Sequence, residues 1–205
     1  AVSVGWDGFV RLWNLTEGVA VRSIEAHSGR INDVAITKDG RTILSCGEDD
    51  HVKVLNTSDG SIQATFEANQ KGVTAGAVRE DGRWAVTAGN SGSLKVWDLV
   101  KRKLHAELLG HTSAVVAVCF STDGEWILSG SRDRTIRLWN LSTLECRRTM
   151  RGHADTVTSL AISRDTRWAL SASADETVRL WEFDWDYEFP GWKDWDDKAR
   201  TYLEM

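Results

Sequence analysis

Histidine, serine and aspartate recur together in this chain at fixed offsets. His111, Ser129 and Asp133 return as His153, Ser171 and Asp175, and His27, Ser45 and Asp49 stand in the same relation upstream. These are the side chains of acyl transfer, in which a serine attacks, an imidazole moves its proton and a carboxylate orients the imidazole. Such chemistry needs one accessible serine, an oxyanion hole and a substrate cleft. Here the set occurs in several copies, and two of them end on a tryptophan, Trp139 or Trp181. The repetition points to a structural role, so no catalytic residue is assigned and the chain is read as a non-enzyme. His51 and His105 break the repeat and have no cysteine or carboxylate at zinc spacing, so no metal site is assigned. No glycine-rich phosphate loop is present, and no cofactor is expected.

The elements that position these residues follow from the period. Trp13, Trp97, Trp139 and Trp181 lie at multiples of 42, with Leu55 in the remaining slot. Trp84, Trp126 and Trp168 keep the same spacing, with Thr42 before them, as do His27, His111 and His153, with Asn69 between. Gly110–Leu141 laid on Gly152–Phe183 without a gap matches at 14 of 32 positions. Within a unit the apolar residues alternate with period 2, and turn residues separate the runs. The clearest unit reads Val115–Phe120, Trp126–Gly130, Thr135–Leu141 and a more polar Cys146–Met150. Asp-Gly pairs at 39–40, 81–82 and 123–124 supply tight hairpin turns. Each unit is therefore a small four-stranded antiparallel sheet.

Composition removes several classes of function. The 205 residues are 41% hydrophobic and 27% charged, with a net charge of −5, 11 tryptophans and one proline. A chain of this length can bury roughly 70% of its unfolded surface. No run approaches the roughly 18 apolar residues of a membrane helix. The mild acidity carries no footprint for nucleic acid. Cys46, Cys119 and Cys146 are too few for a disulfide framework, which favours a reducing, cytoplasmic compartment. They fall on strands and are read as packing residues.

Gly110-His111 with Trp139-Asn140, Gly152-His153 with Trp181-Glu182, and Trp97-Asp98 resemble WD40 repeats over about residues 1–182. The resemblance implies an all-β propeller of four-stranded antiparallel blades, with about five repeats present. The units fall at about 14–55, 56–97, 98–139 and 140–181, after a partial unit at 1–13. It also implies a hydrogen-bonded chain from the indole N–H through serine and histidine to aspartate, in the order Trp139, Ser129, His111, Asp133. The second unit keeps His27, Ser45 and Asp49 but ends on Leu55. The third reads Asn69, Thr87, Ser91 and Trp97, and its chain is expected to be broken. Ala26-His27 and Ala68-Asn69 replace Gly-His, so these units should be looser.

Function is then sought in what does not repeat. The resemblance places the residue before the repeated aspartate on the rim of one propeller face: Trp6, Glu48, Asn90, Arg132 and Ala174. The loops after the histidine vary too, at Arg30, Lys71, Ser113 and Asp155. Variable loops on a rigid scaffold carry recognition. The candidate rim is Trp6, Arg30, Glu48, Lys71, Asn90, Arg132 and Asp155, and it suits a protein or peptide partner, not nucleic acid or a membrane. Lys101-Arg102-Lys103 is read as a solvated turn between third and fourth strands.

Residues 182–205 hold eight acids against three bases, which leaves the remainder of the chain neutral. The acidic, aromatic tail 183–205 resembles the segment after the last blade in large bacterial WD40 signalling proteins with an upstream kinase or NTPase domain. About five units are present where the resemblance implies that seven most often close a ring, so the chain is read as an arc of a larger propeller, and the tail's resemblance makes it a partner-recruiting or sensing module. Two alternatives stand beside this: a closed ring of five blades, and a regulatory domain that restrains an attached kinase or NTPase. An arc has uncovered ends, so self-association of the isolated chain is expected.

Overall fold

The computed structural model describes residues 1–183, and most of the acidic tail lies outside the described residues. Among the described residues eighteen strands make five antiparallel sheets, each joined in chain order. The first holds β1 (Val2–Val4), β2 (Phe9–Asn14) and β3 (Val19–Glu25). The second holds β4 (Ile31–Ile36), β5 (Thr42–Gly47), β6 (His51–Asn56) and β7 (Ile62–Glu67). The third holds β8 (Val73–Val78), β9 (Trp84–Gly89), β10 (Leu94–Asp98) and β11 (Lys103–Leu108). The fourth holds β12 (Val115–Phe120), β13 (Trp126–Ser131), β14 (Thr135–Asn140) and β15 (Cys146–Arg151). The fifth holds β16 (Val157–Ile162), β17 (Trp168–Ser173) and β18 (Val178–Glu182).

The repeat is visible in the irregularities as much as in the strands. The hairpin between the first and second strands turns on an aspartate whose carboxylate accepts the N–H two residues on. Asp39 takes Arg41, Asp81 takes Arg83 and Asp123 takes Glu125, each at 3.0 Å. Gly40, Gly82 and Gly124 follow at φ of 69°, 70° and 72°, which a residue without Cβ adopts freely. Thr166 holds that place in the fifth sheet at φ 58°. A register shift precedes the tryptophan slot wherever its strand pairs with the strand that follows, at Leu12/Trp13, Val54/Leu55, Val96/Trp97 and Leu138/Trp139. A bulge placed alike in successive sheets re-aims the same side chain each time.

The sheets pack face on in sequence, and four apolar clusters fill the four boundaries. Each cluster joins second- and third-strand residues of one sheet to the tryptophan slot of the next. Leu44, Val52 and Val54 meet Trp97, and Val86, Leu94 and Val96 meet Trp139. Trp84 and Trp126 pack against these inter-sheet clusters. The innermost strands are also tied directly. Asn32 donates to the Val73 carbonyl at 2.7 Å, and the Thr74 hydroxyl donates to the Val115 carbonyl one sheet further on. Among the described residues, comparable packing does not join the first sheet to the fifth. Cys46 is fully buried on β5, Cys119 and Cys146 lie on β12 and β15, and all three thiols are free. Burial pushes the Cys119 thiol up to about 12.

Candidate functional site

The serine, histidine and aspartate side chains come from three elements of one blade. His111 opens the loop ahead of the innermost strand, Ser129 sits on β13 and Asp133 in the turn after it. His111 Nε2 lies 2.8 Å from Ser129 Oγ and Nδ1 lies 2.8 Å from Asp133. The Trp139 indole donates to Ser129 Oγ at 2.9 Å. His153, Ser171, Asp175 and Trp181 repeat the arrangement at 2.7, 2.9 and 2.8 Å. His27 lies 2.9 Å from Ser45 and 2.8 Å from Asp49, with Leu55 buried where the indole would be.

In the two sets that end on an indole, these contacts fix the direction of the protons along the chain. The indole can only donate, so Ser129 Oγ accepts it and donates its own hydrogen to Nε2. Nδ1–H then donates to the carboxylate, which also accepts the Thr112 N–H at 3.0 Å. Ser45, Ser129 and Ser171 are buried, and each hydroxyl already serves the imidazole. A serine so enclosed has no face open to a substrate carbonyl. A fluorophosphonate probe is therefore expected to leave Ser129 and Ser171 unlabelled; mass spectrometry finding the adduct on either serine would contradict this.

The third blade corrects an expectation. Asn69 has the histidine slot by count, yet it is exposed at φ 52°. Its neighbour Gln70 turns inward instead and is fully buried. Trp97 donates to Thr87 Oγ1 at 2.9 Å, and that hydroxyl donates to Gln70 Oε1 at 2.9 Å. Gln70 Nε2 then donates to the Ser93 carbonyl at 2.8 Å. The chain is rerouted, not broken. Ser91 bonds only its neighbour Ser93 through its side chain. Asp133→Ala is accordingly expected to cost about 1–3 kcal/mol, because buried His111 loses its acceptor. Ser91→Ala should stay within about 0.5 kcal/mol. Equal melting shifts for the two would contradict the assignment.

The environment keeps the His27 and His111 imidazoles neutral. Burial lowers the His27 and His111 pKa below 6.5 and outweighs the pull of Asp49 and Asp133. Burial alone would raise Asp133, but the Thr135 hydroxyl, His111 and the Thr112 N–H hold it at about 2. The Thr177 hydroxyl is the first cause of the lowered value at Asp175. Unfolded histidine therefore binds protons before the folded one does, and stability falls as pH drops below about 6.5. The Asp133 contribution is complete above 3.8 and is lost as pH falls through about 2. Melting temperature should be lower at pH 5 than at pH 7.5; a profile flat over that range would contradict neutral, buried histidines.

Two recurring hydroxyl positions escaped the sequence reading. Thr135 and Thr177 donate to Asp133 and Asp175 at 2.6 Å, and Ser131 and Ser173 accept the N–H groups of the same aspartates. Both pairs lie 42 apart, so the period that found the histidines could have found them.

The seven rim residues are all exposed and lie at one end of the strands, in turns between second and third strands or in loops between blades. Trp6 is 77% exposed, and the Arg30 guanidinium lies 4.6 Å from its ring centroid. Asn90 donates to the Lys71 carbonyl at 2.9 Å, and the Glu48 N–H donates to the Arg30 carbonyl at 2.9 Å. Arg132 is anchored through its N–H to Ala114, and Asp155 caps the Thr156 N–H. Trp6 and Arg30 thus meet across neighbouring blades, whereas Lys71 and Asn90 meet within the third. On the opposite end, Lys101 and Arg102 lie in the turn after β10, while Lys103 already belongs to β11.

Among the described residues no group of three His, Cys, Asp or Glu is placed to hold a metal ion, and no helix is long and apolar enough to cross a membrane. The family model described as "WD domain, G-beta repeat" matches residues 18–56, 60–98, 102–140 and 144–182. Each match takes the outer strand of one sheet and the three inner strands of the next, so the repeats interlock across every boundary. No curated protein matches the chain.

Proposed function

From the premise that this chain belongs to the WD40-repeat family, we propose that it is a non-catalytic scaffold that binds a protein or peptide partner across the rim of Trp6, Arg30, Glu48, Lys71, Asn90, Arg132 and Asp155. WD40 repeats mediate protein–protein interaction in general. The observation that carries the finer reading is the division of labour among the polar residues. The repeating ones are spent inside the blades on indole and imidazole hydrogen bonds. The non-repeating ones stand exposed together on one face. Trp6 offers an aromatic surface stiffened by Arg30, the type of residue that anchors protein interfaces. Arg132 and Lys71 against Glu48 and Asp155 give charges of both signs, which suits polar peptide over nucleic acid. A cytoplasmic context is part of the proposal, supported by three free thiols, and the signalling role rests on the resemblance of the tail alone.

A photoreactive amino acid placed at position 6 or 132 tests it in cells that make the protein. Crosslinks to one and the same partner are expected from both positions and not from position 104 on the outer strand β11. Crosslinking from position 104 equal to or stronger than from the rim would overturn the reading.

A further inference from the structure

The strand with the tryptophan slot carries a cation two residues ahead of that slot in every sheet: Arg11, Lys53, Lys95, Arg137 and Arg179. Arg11 pairs with Asp7, four residues before it. The matching acid of the fourth sheet is Asp133, which is taken up by His111, the Thr112 N–H and the Thr135 hydroxyl. Arg137 is left without a carboxylate. Its guanidinium lies 5.9 Å from the Trp139 ring centroid, beside Gly110, and Nη1 is 3.8 Å from Cys146 Sγ. Its Nε is buried with no hydrogen-bond partner. A cation held partly out of water with no counter-charge gains from an anion brought to its open edge.

Two further arginines stand close by. In the pairing of β14 with β15, Arg137 is opposite Thr149 and Thr135 is opposite Arg151. Residues two apart on a strand share a face, so Arg137, Thr149 and Arg151 lie together on the side that Trp139 turns to the third sheet. Arg134 precedes Thr135 in the turn, and both Arg134 and Arg151 are exposed. Among the described residues no ion pair involves any of the three arginines. The third and fourth sheets each have all four strands, so the exposure of this face does not depend on the ends of the row.

We propose that Arg134, Arg137 and Arg151, with the Thr149 hydroxyl, form a site for a phosphorylated side chain of a peptide partner. From residue 126 to 151 the chain holds six arginines and no lysine, and arginine is the cation whose fork matches phosphate oxygens in pairs. A carboxylate has two oxygens and is filled by one fork, whereas a phosphorylated side chain offers three acceptor oxygens and a charge of roughly −1.5 to −2. Leu109, 71% exposed and next to Gly110, adds an apolar contact that a peptide can use and a free phosphate ion cannot. The net charge of −5 disfavours nucleic acid and anionic membranes as partners. The proposal rests on the reading of the chain as a peptide-binding scaffold and gives its partner a chemical class; the site itself lies on the side of the fourth sheet, next to Arg132 of the rim.

The test passes the full 205-residue chain over bead-bound nonapeptide libraries, randomised except for phosphoserine, serine or glutamate at the centre. Retention on phosphoserine should exceed that on serine roughly tenfold, with glutamate close to serine. Arg134→Gln and Arg151→Gln should each lower phosphoserine retention roughly fivefold, and together bring it to the serine level. Both positions are exposed, so melting temperatures should match the unsubstituted chain. Arg137→Lys keeps the charge but loses the fork, and should lower retention as well. Lys101→Gln with Arg102→Gln, at the opposite end of the strands, should leave it unchanged. Equal retention on phosphoserine and serine would overturn the proposal, as would a phosphoserine preference that survives the Arg134 and Arg151 substitutions. Arg151-dependent binding to phosphatidylserine vesicles stronger than to the phosphoserine library would also overturn it. Trp6→Ala separates the site from the rim. If it lowers retention on all three libraries and they differ in nothing else, the rim reading stands and this site falls. If it changes nothing while Arg151→Gln removes the phosphoserine preference, this site stands and the rim reading falls.

Discussion

Trp139→Ala is expected to destabilise the chain by about 3–5 kcal/mol, the range for removing a large aromatic side chain from a packed core. The indole is 2% exposed and sits in the cluster that joins the third and fourth sheets, with Val86, Leu94, Val96 and Ile127 around it. Its removal opens a cavity at a boundary, where two sheets depend on the same side chain. Its N–H is also the donor to Ser129, so the buried hydroxyl loses one partner as well. The half-exposed Trp13 makes the same kind of bond, to Ser3 at 2.7 Å, but faces no further sheet among the described residues. Trp13→Ala should therefore cost clearly less. Denaturant titration of the two variants checks this, and similar losses would contradict the boundary account.

Gln70→Ala should cost about 2–4 kcal/mol, although nothing at that position repeats elsewhere in the chain. The side chain is fully buried and satisfies two groups at once, the Thr87 hydroxyl and the Ser93 carbonyl. Each orphaned buried group costs about 1–3 kcal/mol, and the lost volume adds to that. Asn69→Gly should change little, since Asn69 is exposed and glycine tolerates its positive φ. A larger loss at Asn69 than at Gln70 would return the histidine role to the residue that the count selects.

The fourth blade was legible almost strand for strand, because alternation and turn residues act locally. Val115–Phe120 is a strand as expected, and the next three end within one residue of the expected limits. The third blade shows where local reading fails. The loop between β7 and β8 spans five residues, as do those before β4 and β16, but takes positive φ at Asn69, Lys71 and Gly72. That path turns Gln70 inward, and a period counted along the chain cannot register it. The stacking of Arg30 on Trp6 was equally invisible, since the two residues come from different sides of a turn and a loop that meet only in space.

The central claim is that repeating polar residues build the blades while the non-repeating rim binds. One paired measurement tests it most directly: melting temperature and partner crosslinking recorded on the same two variants. Asp133→Ala is predicted to melt early and yet keep its crosslink from position 6 below the melting transition. Arg30→Ala with Arg132→Ala is predicted to melt like the unsubstituted chain and to lose at least tenfold of that crosslink. Loss of crosslinking in folded Asp133→Ala, with full crosslinking in the rim variant, would contradict the account.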